Sequence, residues 1–251
     1  VSMNSAGDRV AIGALWNGGT GTDAGHVRIY EYSNSSWTQL GSDIDGEAAN
    51  DRSSYSVSMN SAGDRVAIGA RRNDGTASDA GHVRIYEYSN SSWTQLGSDI
   101  DGEAANDFYG NSVSMNSAGD RVAIGAANNA GTGSNAGHVR IYEYSNSSWT
   151  QLGSDIDGEA ASDFSGTSVS MNSAGDRVAI GATDNDGTAS DAGHVRIYEY
   201  SNSSWTQLGS DIDGEAANDF SGNSVSMNSA GDRVAIGAPL NDGTASEAGH
   251  V

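Results

Sequence analysis

The sequence contains no lysine and no cysteine, and Pro239 is its only proline. All 12 basic residues are therefore arginines, set against 33 acidic residues, for a formal net charge of −21. A chain so acidic repels DNA, RNA and anionic membrane surfaces, so nucleic acid is excluded as a partner. Without cysteine there is no disulfide framework and no thiol chemistry. No hydrophobic run approaches the ~18 residues that a membrane helix needs, so membrane insertion is not expected. With a single proline and 34 glycines, the turns must be built by Gly, Asn, Asp and Ser. An acidic, lysine-free surface suits a salty medium, contact with divalent cations, or solubility alone. The chain begins without methionine or a leader, and both ends fall inside a repeat. It reads as a piece of a longer array.

What is there is a repeat. A 56-residue string recurs from Val1, Val57, Val113, Val169 and Val225, giving units 1–56, 57–112, 113–168 and 169–224 and a partial unit 225–251. A fixed period of this length, with turn residues between short apolar runs, predicts units that bury their hydrophobic faces only against one another. The near-identity of the units argues for a single continuous array over 1–251.

The third unit serves as the type. Ser112–Asn116 alternates, with Val113 and Met115 on one face, and predicts strand A. Asn116–Asp120 (NSAGD) is a tight turn, and Arg121–Ala126 (RVAIGA) is strand B. Residues 127–136 are rich in Asn, Gly and Ser and predict a loop. Gly137–Tyr144 is strand C, with Val139 and Ile141 on one face and Arg140, Tyr142 and Tyr144 on the other. Large groups on both faces suit a sheet covered on both sides. SNSS is the next turn, Trp149–Leu152 is strand D, and Gly153–Asp163 is a long acidic loop. Four short antiparallel strands per unit, repeated radially, predict an all-β protein, a β-propeller of four full blades and one half blade in an incomplete ring. An open solenoid is the competing arrangement.

Phe220-Ser221-Gly222 ahead of strand A, and Gly237-Ala238-Pro239 at the end of strand B, resemble the F-G and G-A-P signatures of FG-GAP repeats, the blades of the integrin α-chain propeller. GHVRIYEY is similar to that family's G-x-V-Y-V-Y strand, and QLGSDIDGE to its approach to the next blade. The resemblance runs through every unit and implies an extracellular adhesion propeller whose ligand face carries the B–C and D–A loops. Two features depart from the family pattern. Leu15, Arg71, Ala127 and Thr183 stand where Pro239 keeps the proline. The A–B turn reads NSAGD, as in Asn60–Asp64, without the acidic ladder of the family's calcium-binding blades. One carboxylate is too few for an ion that takes six to eight oxygens, so calcium is not expected there and no cofactor is implied.

Other groups carry less chemistry. The D–A loops hold Asp99, Asp101, Glu103 and Asp107, repeated as Asp155, Asp157, Glu159 and Asp163, and solvated loop charge explains them. Asp184, Asp186 and Asp191 form a weak metal candidate on one B–C loop. His26, His82, His138, His194 and His250 each open strand C, with no second ligand type beside them at metal spacing, which reads as a structural role. Identical repeats make identical sites, whereas catalysis needs one asymmetric constellation, so no enzyme is expected. The GTGTDAG and NDGTAS strings lack the Gly-Lys-Ser/Thr of a phosphate loop. Asn34, Asn90, Asn146 and Asn202 each begin an N-S-S sequon at the C–D turn, a glycosylation acceptor on a secreted chain.

The units differ from one another in two places only. One is the B–C loop, at Leu15 and Trp16, Arg71 and Arg72, Ala127 and Asn128, Thr183 and Asp184, Pro239 and Leu240. The other is the D–A loop, where Arg52–Tyr55 faces Phe108 and Tyr109, Phe164 and Phe220 in its counterparts. In an up-and-down blade both loops emerge on one side. The A–B and C–D turns hardly vary, although they too are loops. This asymmetry predicts a recognition surface for a protein or glycan ligand on an extracellular or cell-surface module. A structural array building a surface layer or fibre, by self-association or through further repeats, is the alternative.

Overall fold

A computed structural model describes residues 1–251 apart from Thr244. The NDGTAS string of the last unit includes that residue and so lies partly outside the described ones. Every assigned element is a β-strand. In the second unit, strand A is Ser56–Met59, B is Arg65–Ala70, C is His82–Ser89 and D is Ser92–Gln95. They pair antiparallel in sequence order, Met59 opposite Val66, Ala67 opposite Ile85 and Tyr88 opposite Trp93. The first four units repeat this order, and the last contributes only strands A and B, Ser224–Met227 and Val234–Gly237.

The long acidic loop proves to contain a further strand. Ile100–Asp101 pairs with the start of strand C, Ile100 opposite Val83 and Asp101 opposite His82. Each of the first four sheets is therefore five-stranded. Two residues of ID between glycine-rich flanks are too short a run for the alternation signal to register, so only pairing reveals them. Strands C and D each begin one residue away from the expected bounds.

The turns follow from residue chemistry. Asn90 and Ser91 both adopt positive φ (49° and 64°) between paired Ser89 and Ser92, a two-residue hairpin whose mirror-type turn matches the strand twist. In the A–B turn, Asn60 Oδ1 accepts hydrogen bonds from the Asp64 and Arg65 amides (3.1 and 3.0 Å), while its Nδ2 donates to Asp64 Oδ1 (2.7 Å). One asparagine thus closes the turn.

The chain divides into two compact units. One comprises Val1–Val122 and Tyr142–Thr150, the other Ala123–Ile141 and Gln151–Val251, so the division passes through the third repeat. Within the first, Val27, Ile29 and Ile44 of one repeat meet Met59, Val66 and Ile68 of the next in a single apolar cluster. Within the second, Val139, Ile141 and Ile156 meet Val169, Met171, Val178 and Ile180 in the same way. No repeat encloses a core alone.

A tryptophan fixes the spacing of each pair. Trp93 Nε1 donates to the Leu40 carbonyl of the preceding repeat (2.8 Å), and Trp149 and Trp205 do the same to Leu96 and Leu152 (2.7 Å each). The ring lies against Gly41, which has φ +76° and would place a Cβ 2.8 Å from Trp93 Cδ1. Gly41→Ala should therefore cost about 1–3 kcal/mol for the left-handed backbone, and more if the indole must shift. Trp93→Phe, which keeps a ring but loses the hydrogen bond, should cost about 1 kcal/mol. Urea denaturation of the two variants should show the glycine substitution lowering the midpoint further; the reverse order would contradict this packing.

Candidate functional site

The loops that vary between repeats do lie together. In the first repeat the Thr20 hydroxyl of the B–C loop donates to the Gly46 carbonyl of the D–A loop (2.6 Å), and Gly25 pairs with Ser53. The D–A loop also reaches the next repeat. Asp51 is buried and its Oδ2 accepts from the Ala48 amide (3.0 Å) and from Asn73 Nδ2 of the following B–C loop (3.1 Å). Burial nevertheless raises its pKa from the ordinary carboxylate value, against the pull of those two hydrogen bonds. Asp163 and Asn185, and Asp219 and Asn241, repeat the brace in the second compact unit. Asp51, Asp163 and Asp219, the last acids of their loops, are thus struts between repeats rather than solvated charge.

In the first compact unit the variable positions form arginine–aromatic stacks. The Arg52 guanidinium lies 4.3 Å from the Trp16 ring centroid, and Arg71 lies 3.7 Å from that of Tyr55. Arg71 and Arg72 also flank Phe108 at 5.6 and 5.7 Å. Burial is the main cause of a lowered Arg71 pKa, yet an arginine remains charged at neutral pH. Partner types exchange between loops: Trp16 stands where the next repeat has Arg72, and Arg52 where it has Phe108. Trp16 and Tyr55 remain open to solvent, at 58 % and 38 % exposure.

Not every residue expected on this face reaches the surface. Tyr109 is 0 % exposed, and Ala127 and Thr183 are buried. Phe108 takes a positive φ of 52°, which turns the residue after it inward, and Tyr109 pairs with Gly81 there as Ser53 does with Gly25. As placed, these three side chains cannot touch a partner directly. Leu15, Asn128, Phe164, Asp184 and Phe220 are half-buried, while Pro239 and Leu240 are exposed.

Asp184, Asp186 and Asp191 do not converge. The Thr183 hydroxyl donates to Asp184 Oδ1 (2.7 Å), and Asp186 Oδ1 accepts from the Asp191 amide (2.9 Å), so these oxygens are spent within the loop. The sequon asparagines Asn34, Asn90, Asn146 and Asn202 are all exposed at hairpin tips.

The histidines have neighbours that their spacing did not reveal. Pairing of Ile100–Asp101 with strand C brings the acidic loop back over His82, and the preceding repeat adds Glu47. His82 Nδ1 lies 3.8 Å from Asp99 Oδ2, 3.9 Å from Glu47 Oε2 and 4.0 Å from Asp101 Oδ1. Burial, then the nearby Arg84, lowers its pKa to about 4, so the ring is neutral at pH 7. His194 is likewise lowered by burial and Arg196. The 35 residues between Glu47 and His82 cross a repeat boundary, and no short-range motif could have paired them.

No protein-family model matches the chain, and no curated protein matches it either. Solved structures do. A periplasmic gluconolactonase of Pseudomonas aeruginosa, PpgL, aligns with a TM-score of 0.58 at 11 % identity, covering 94 % of this chain and 63 % of the lactonase. Hydrazine synthase of Kuenenia stuttgartiensis aligns with a TM-score of 0.55 at 12 % identity, covering 93 % of this chain and 69 % of that one. The chain spans less than two thirds of the lactonase's length. At such identities the likeness establishes the fold alone: this is a β-propeller chain, with four full blades and one half blade. Both similar structures are named as enzymes, and those activities belong to those two proteins.

The A–B turn makes a direct test. Asn60→Ala removes three hydrogen bonds from a buried site and should lower stability by about 2 kcal/mol. Calcium should leave the unfolding midpoint of the native chain unchanged, because the turn's oxygens already serve its own amides. A calcium-dependent rise of several degrees would show that the acidic loops bind that ion.

Proposed function

We propose that the chain is a non-catalytic binding module of the extracellular space or cell surface, recognising a protein or glycan through its B–C and D–A loops. The observation that carries the reading is the stack of Trp16, Arg52, Tyr55, Arg71, Arg72 and Phe108. Repeats nearly identical elsewhere differ at these positions, and the differences place exposed rings beside guanidinium groups on an otherwise strongly acidic protein. An indole or phenol face stacks on a sugar ring or an apolar side chain, and a neighbouring guanidinium pairs with a carboxylate. The resemblance to FG-GAP repeats favours the same side of the blade, by analogy. The accessible sequons agree with a secreted chain.

A second reading, a structural array, has its own support. Contacts between repeats recur in register: Ser5, Ser61 and Ser117 link by hydroxyl hydrogen bonds of 3.0 and 2.9 Å, and Arg9 and Arg65 donate to the Gly63 and Gly119 carbonyls. Ile68 is 2 % exposed beneath the preceding repeat, whereas its counterpart Ile12 is 41 % exposed. A further repeat, or a second copy, would cover that face with the same contacts.

Binding to immobilised glycans and acidic peptides separates the two. The module reading expects a bound class whose affinity falls at least tenfold in Trp16→Ala and in Arg71→Ala, with unchanged circular dichroism. Binding indifferent to both substitutions, or no binding together with concentration-dependent assembly in sedimentation, would favour the array.

A further inference from the structure

We propose that the cluster of His194, Glu159 and Asp211, and its counterpart of His82, Glu47 and Asp99, binds a divalent transition-metal ion of the zinc class. One potential ligand atom from each residue lies within 4.8 Å of the others in both clusters. Carboxylates near a histidine are common on an acidic surface and would mean little alone. The second observation is the state of His194. Its side chain is 1 % exposed, and its Nδ1 is buried without a hydrogen-bond partner. That nitrogen faces Glu159 Oε2 at 3.9 Å and Asp213 Oδ1 at 4.0 Å. Buried polar atoms are nearly always satisfied, so an orphan aimed at carboxylates marks a missing partner.

The distances suit a cation better than a proton. At 3.9–4.0 Å no hydrogen bond forms between nitrogen and oxygen. Ligand atoms held tetrahedrally at about 2.0–2.1 Å from zinc sit about 3.3 Å apart. For Glu159 and Asp213 the gap to close is about 0.6–0.7 Å per pair, and Asp211, whose ligand atom lies within 4.8 Å, has further to move, within reach of carboxylate side chains that are partly solvent-exposed.

The surroundings of Glu159 complete the site. Its Oε1 pairs with Arg196 Nη1 at 3.4 Å, leaving Oε2 turned to the histidine, and Arg196 Nη2 is itself anchored on the Asp157 carbonyl (2.7 Å). A guanidinium on the far oxygen orients a ligating carboxylate without occupying the metal position. The first compact unit repeats the plan, with Arg84 Nη1 3.2 Å from Glu47 Oε1. A nitrogen ligand beside two carboxylates favours zinc, cobalt or manganese over calcium and magnesium, which take oxygen. In each cluster the glutamate comes from the repeat before the histidine, so the ion ties two neighbouring repeats together.

Equilibrium dialysis of the full chain against zinc, and cobalt(II) absorption, test the site after metal is stripped. The native chain should bind zinc and give visible cobalt bands of a nitrogen-containing site, and excess calcium should not displace them. The double variant His82→Ala/His194→Ala should lose two equivalents of zinc per chain. Glu47→Gln/Glu159→Gln alters only exposed carboxylates and should keep its circular dichroism while binding these two equivalents at least tenfold more weakly. It decides the matter if the histidine variant fails to fold. An unchanged number of zinc equivalents without the two histidines, an unchanged affinity in a folded glutamine variant, displacement by calcium, or no cobalt spectrum in the native chain would each overturn the proposal.

Discussion

A repeat of 56 residues with four or five short strands cannot enclose a core, and the structure depends on how one repeat closes the next. The contact that sets this is a tryptophan on strand D, whose indole donates to a leucine carbonyl one repeat earlier and lies against the glycine beside it. The hydrogen bond fixes the height of the ring, and the glycine fixes its distance. Behind it, valines and isoleucines of two repeats share one apolar cluster in each compact unit. Burial of that surface supplies most of the stability, at about 25 cal/mol per Å². The polar contacts supply register, because a slip by one residue would turn every buried side chain outward.

Charge is organised by the same stacking. The net charge of −21 suggests an unstructured acidic coat. In place of that, each acidic loop folds back on strand C through a two-residue strand, and its carboxylates take distinct tasks. The last one braces an asparagine of the following repeat, the first faces the histidine of its own repeat, and the glutamate faces the arginine and histidine of the next. A repeat interface with so many carboxylates at its rim is held by arginines, and arginine's planar fork, holding a carboxylate or carbonyl while stacked on an aromatic ring, explains why lysine would serve poorly here.

Departures from the repeat are confined to the loops on one side of the blades, and they are coupled. Where one repeat puts the ring on the B–C loop and the cation on the D–A loop, the next puts them the other way round, so both keep a cation beside an aromatic face. The strands tolerate no such drift, because each inner strand touches its neighbour through glycine. At Gly69 a Cβ would fall 2.2 Å from the Gly110 carbonyl oxygen.

The sequence by itself determined the repeat, its strands A to D, the asparagine-closed turns and the all-β class, because these rest on local alternation and turn chemistry spanning a few residues. It also located the variable loops, since the copies could be compared within one chain. Only the tertiary structure decided which of those loop residues are accessible: Tyr109, which follows Phe108 at positive φ, sits inside, and Trp16 sits outside, a difference that no composition reveals. It alone disclosed the fifth strand, too short to carry a period, and the clusters about His82 and His194, whose members stand 17 and 35 residues apart. Those distances are bridged by strand pairing and by the stacking of one repeat on the next, which are properties of the assembled sheets and not of any stretch of sequence.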